Sequence, residues 1–143
     1  MKKIVCALVV AGVTAGCSSS TPTAITQPSL HFGSSAADVA KALGCTFVPD
    51  KQPTTVGPKL SQVRERGTCE LAGTSVHIGV YASASALAAD ITIATRLLSR
   101  APGALYAVQG PGFIINTIDG SKAKAEPLAK ATGGTLVNLT GKP

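Results

Sequence analysis

The chain has 143 residues, with 13 Lys+Arg against 7 Asp+Glu, four Cys, no Trp, three Phe and two Tyr. It is 45% apolar, but 22 of those residues are Ala, and 11 of the apolar residues lie in the first sixteen positions. The 31 Val, Ile, Leu, Phe and Tyr left among the remaining 127 positions support one small core. That excludes a multidomain enzyme, a polytopic membrane protein and a repeat array.

Met1-Lys2-Lys3 is a short basic start, and residues 4–13 form an apolar run of ten. A spanning helix needs roughly 20. Val13-Thr14-Ala15-Gly16-Cys17 then places small residues at a cleavage point, so residues 1–16 read as a secretory signal peptide. Cys17 directly after Ala-Gly resembles the lipobox of bacterial lipoproteins, with Thr14 where that pattern prefers Leu. The resemblance implies that Cys17 is diacylated and becomes the first residue. The other reading is an ordinary signal peptide with an incidental Cys. Residues 17–30 would be the lipidated Cys and a Ser/Thr/Pro tether, reaching about 20 Å at 5–6 Å × √n. Residues 31–143 would be a single domain. Two acyl chains anchor stably where one holds only marginally.

Removing the signal segment leaves 11 basic and 7 acidic residues, a net charge of +4. That suits an anionic lipid surface. Without aromatic interleaving or a dense basic stripe it does not point to nucleic acid. Cys6 leaves with the signal and Cys17 takes the lipid. The pair Cys45 and Cys69 then reads as one disulfide in an exported chain. At a separation of 24 residues, it contributes about 3 kcal/mol by chain entropy.

In chain order, Ser35-Ala36-Ala37-Asp38 is a capping box opening a helix that stops at Gly44. Residues 45–48 form a short strand. Residues 49–67, rich in Pro and charge, read as a long loop with a turn of helix near 60–63. Residues 68–71 and 75–82 flank Ala72-Gly73 as a hairpin, and the second strand shows the clearest period-two pattern in the chain. A helix from Ser83 or Ser85 to about Ser99 carries Leu87, Ile91, Ala94 and Leu98 at helical spacing. Residues 104–108 and 113–118 form a second hairpin. A third helix spans 121–132, with its regular part beginning near Pro127, and residues 135–139 close the chain as a strand. The expected fold is α+β: a small antiparallel sheet of four to five strands with about three helices packed on one face.

The helix ending Leu43-Gly44-Cys45, the Gly67-Thr68-Cys69 turn and the Val76–Ala82 strand leading into a helix form a recognisable series. Together with the Gly110–Gly112 hairpin and the Gly133-Gly134-Thr135 strand, they resemble a group of small secreted lipoproteins of high-GC Gram-positive bacteria and their phages. The likeness covers residues 35–139 as a pattern of elements, not a catalytic motif. It implies a lipid anchor at Cys17, a Cys45–Cys69 disulfide and a compact α+β domain.

No paired acids, nucleophile elbow or metal-ligand spacing stands out, so no catalytic residue, metal or cofactor is expected. His77 and Tyr81 fall on the wetter face of their strand as a candidate surface pair. The segment between the two cysteines carries Lys51, Lys59, Arg64 and Arg66 and is the candidate interaction loop. The expectation is a non-enzymatic lipoprotein on the extracytoplasmic face of the cell membrane, binding an envelope protein. In a phage-borne chain, surface exclusion is the corresponding role. The alternative is a carrier of a small ligand or lipid between sheet and helices. Cells expressing the full chain should incorporate labelled palmitate into it, Cys17→Ala should abolish the label, and Thr14→Leu should raise the processed fraction. An unlabelled wild-type chain on a gel would overturn the lipobox reading.

Overall fold

The computed structural model describes residues 29–51 and 63–143. The signal segment, Cys17, the tether up to Pro28 and Lys59 lie outside the described residues. Three helices and six strands follow in the order α1 (Ala36–Leu43), β1 (Val48–Pro49), β2 (Val63–Leu71), β3 (Thr74–Tyr81), α2 (Ala84–Leu98), β4 (Tyr106–Gly110), β5 (Phe113–Thr117), α3 (Lys122–Thr132) and β6 (Thr135–Asn138). The sheet runs β1-β2-β3-β5-β4-β6 with every neighbouring pair antiparallel.

Local chemistry explains where the elements start and stop. Ser35 caps α1 through its hydroxyl, Asp38 returns the bond to the Ser35 amide at 2.8 Å, and Gly44 ends the helix at φ 78°. The bonds that Ser35 donates to Asp38 hold the Asp38 carboxyl below its usual range. Between β2 and β3, Ala72 and Gly73 both take positive φ, 49° and 75°, as a two-residue hairpin turn demands.

Four expectations are corrected. First, all six strand-like segments join one sheet, rather than four or five. Second, Val63–Gly67 is strand, not loop, and Val63 belongs to β2 rather than to a helical turn. Its charges hid it. Glu65 accepts from the Ala36 amide at 2.8 Å, supplying a carboxylate to the positive end of α1. Arg64 donates to the Ser34 carbonyl at 2.8 Å and pairs with Glu65 at 3.3 Å. Third, α3 is regular from Lys122 and runs through Pro127, because Ala125 and Leu128 on either side are buried and Pro127 forfeits only one ladder bond.

Fourth, the helices do not share one face. α1 and α3 cover the side formed by Val76, Ile78, Val80, Val108, Phe113 and Ile115. α2 covers the other, with Ala86 and Leu87 against Tyr81 and with Val63, Ile91 and Ile114 around them. The topology requires this. The β3-α2-β4 connection passes over β5 and the β5-α3-β6 connection passes over β4, both moving the same way across the sheet. They leave from antiparallel strands, so crossovers of one hand must place their helices on opposite faces.

The Cys45–Cys69 disulfide spans 5.9 Å between Cα atoms and holds the segment after α1 against β2. Beside it, β1 lies so close to β2 that no side chain fits at Gly67. A Cβ there would stand 2.6 Å from the Phe47 ring and against the Val48 carbonyl. Gly67→Ala should therefore lower unfolding free energy by about 1–3 kcal/mol in denaturant titration. An unchanged midpoint would mean that β1 is not held there.

Candidate functional site

The face beneath α2 is where polar side chains converge. β2 contributes Arg66, β3 contributes His77, Gly79 and Tyr81, and β5 contributes Ile114 and Asn116. Register puts them side by side: Arg66 opposite Gly79, Gly79 opposite Ile114, and His77 opposite Asn116. α2 roofs them with Asp90, Ala94 and Leu98, and Leu139 closes one end. The space enclosed is a cleft of about 320 Å³, within the lower range of small-ligand sites.

The cleft exists because α2 is seated at one end only. Ala86 and Leu87 in its first turns are buried, whereas Ile91, Ala94 and Leu98 are only half-buried and Leu97 is 74% exposed. Ser83 caps the seated end by accepting from the Ala86 amide at 3.2 Å. Further along, the Tyr81 hydroxyl donates to the Asp90 carboxylate, spanning the gap between sheet and helix. Burial pushes the Tyr81 phenol well above its ordinary range, and the Asp90 bond adds to this by stabilising the protonated form. Past the helix, Lys142 donates to the Ala101 carbonyl, and Leu139 donates its amide to the Leu105 carbonyl at 2.8 Å. Those bonds fasten the C-terminal segment beside the cleft.

The floor is Gly79. Its φ is not positive, and a Cβ built there would make only ordinary contacts, 3.5 Å to Ile114 and 3.7 Å to Tyr81. Neither backbone conformation nor crowding requires glycine. In the interior of a strand it costs roughly 0.5–1 kcal/mol and is often found where a ligand approaches the backbone.

The residues picked out from sequence separate here. His77 and Tyr81 do share a face, but Tyr81 is 2% exposed, because the first turns of α2 cover it. It is part of a cleft wall, not of an open surface. Arg66 joins them. Arg64 faces the chain before α1, where it also donates to the Gly33 carbonyl at 3.3 Å, so it serves the scaffold. Lys51 is exposed at the end of the described segment and is not among the residues that line the cleft. Asp90, Asn116 and Gly79 were not singled out from sequence. Asp90 carried a readable signal, a lone carboxylate inside the apolar stripe Leu87, Ile91, Ala94 and Leu98. Among the described residues no three His, Cys, Asp or Glu side chains gather to hold a metal, and no helix is long and apolar enough to cross a membrane.

Comparison with protein-family models, with curated proteins and with solved structures finds no match.

The Tyr81–Asp90 contact has a measurable pH signature. A phenol whose folded pKa is raised contributes stability that is complete below the ordinary value of 10.0 and is lost as pH climbs above it. Unfolding free energy should therefore fall above pH 10.0, as the unfolded phenol ionises. Tyr81→Phe should remove that fall at a cost of about 1 kcal/mol at neutral pH. In ultraviolet titration, Asp90→Asn should bring the Tyr81 phenol back toward ordinary ionisation. A phenol unmoved by that change would show that Asp90 does not hold it.

Proposed function

We propose that the protein is a lipid-anchored, non-enzymatic binding lipoprotein of the extracytoplasmic membrane face, and that it binds a small ligand in the cleft beneath α2. One observation carries the binding part: a buried glycine in the cleft lining, at a position where sterics would accept a side chain. Around it stand Arg66, His77, Tyr81, Asp90 and Asn116 with an apolar wall, the mixture that small-molecule sites present. The anchoring part is supported by the signal pattern ending at Cys17 and by a disulfide suited to an exported domain. Of the two functions framed from sequence, the carrier of a small ligand gains this support. The envelope-protein partner rested on a basic loop, of which Arg64 is turned to the scaffold and Arg66 to the cleft.

Protein taken from producing cells in mild detergent should show, by native mass spectrometry, an adduct of one defined mass. Gly79→Val should lose that adduct, while Gly79→Ala keeps a melting temperature within a few degrees of wild type. A ligand-free wild-type spectrum would overturn the carrier reading.

A further inference from the structure

Resting on the reading of the cleft as a binding site, we infer that its ligand is a small amphipathic anion. A carboxylate or phosphate head sits on Arg66, and a short acyl chain or ring lies against Ile114, Leu98 and Leu139.

Charge decides the head. Arg66 is the cation among the lining residues and Asp90 the carboxylate. The ion pairs among the described residues are Arg64–Glu65, Lys122–Glu126 and Lys124–Asp119, so none of them neutralises Arg66. Asp90 is already engaged, accepting from Tyr81. A ligand cation would meet a carboxylate that already accepts the Tyr81 hydroxyl through one oxygen, and would stand near a guanidinium. A ligand anion would meet a guanidinium fork that no carboxylate among the described residues pairs with, and such a fork is suited to carboxylate or phosphate. The adjacent pair His77 and Asn116 adds ring and amide N–H groups on the same face.

Shape decides the rest. From Arg66 the floor runs across Gly79 to Ile114, and the roof above presents Ala94 and Leu98 rather than polar groups. A ligand that reaches Arg66 therefore lays its remaining atoms on apolar surface, which favours burial of carbon over burial of further charge. With about 320 Å³ available, the ligand is a single chain or ring and not a two-tailed lipid.

The test uses the isotope-labelled full chain carrying Cys17→Ser, which leaves it unacylated, and follows backbone amides by NMR. Octanoate, octyl phosphate, octylamine and acetate are the probes. Octanoate or octyl phosphate should shift the amides of Gly79, Ile114 and Asn116 saturably, and whichever binds tighter identifies the head. Acetate should bind far more weakly than octanoate. Arg66→Gln should weaken the anion about tenfold or more while leaving the spectrum otherwise native. Gly79→Val should abolish the shifts. If octylamine binds as tightly as the anions, or Arg66→Gln changes nothing, the anion assignment is overturned while the cleft remains a binding site. If none of the octyl probes moves these amides, the assignment is overturned as well, and the adduct on membrane-derived protein judges the carrier reading separately.

Discussion

β3 lies inside the sheet with helices over both of its faces, and most of the structure follows from that constraint. Val76, Ile78 and Val80 point to one side and His77, Gly79 and Tyr81 to the other. The first set is aliphatic and is sealed by α1 and α3 to nearly complete burial. The second is polar or absent, so the helix above it has little apolar surface to close upon. The two sides of one strand thus specify a packed core and a partly open cleft. The disulfide and Gly67 serve the first side, by bringing the chain after α1 hard against β2.

α2 shows how a helix can be held in place without being fully packed. Its buried anchor is Ala86 and Leu87, and its remaining apolar residues meet the sheet only in part. Burying a Leu side chain contributes about 1.5–3 kcal/mol, so the seated end suffices to position the helix. At the other end, the Lys142 contact to Ala101 fastens the loop that follows it. Between them the Tyr81–Asp90 bond acts as a strut that sets helix-to-sheet separation.

Legibility from sequence divides along the same line. The capped start of α1, the Ala72-Gly73 hairpin, the alternation of β3 and the Cys45–Cys69 pairing were all readable, because each depends on residues close in sequence or on arithmetic. β2 was not readable before Thr68. Its run Arg64-Glu65-Arg66 has the composition of a loop, yet it ladders with β3 while Arg64 and Glu65 are satisfied by Ser34 and Ala36, some thirty residues distant. Helix sidedness was not readable either. It depends on β5 entering the sheet next to β3 and β4 lying outside it, and single-sequence periodicity carries no information about strand order. For the cleft, His77 and Tyr81 were visible as a same-face pair, whereas Gly79 read as an unremarkable member of the alternation. Its meaning emerges only from the space above it.

Topology also bears on how an anchored domain would present this cleft. Leu30, near the start of the described chain, packs against the core under α1 and α3, on the face opposite α2. Arg64 fixes the next few residues there through the carbonyls of Gly33 and Ser34. Any tether leading back toward Cys17 therefore joins the domain on its closed side. An anchor reached from that side would leave the α2 face directed away from the point of attachment. On the proposed anchoring, attachment limits how far the cleft strays from the membrane without limiting what reaches it. A carrier that meets amphipathic ligands at a lipid surface requires that combination.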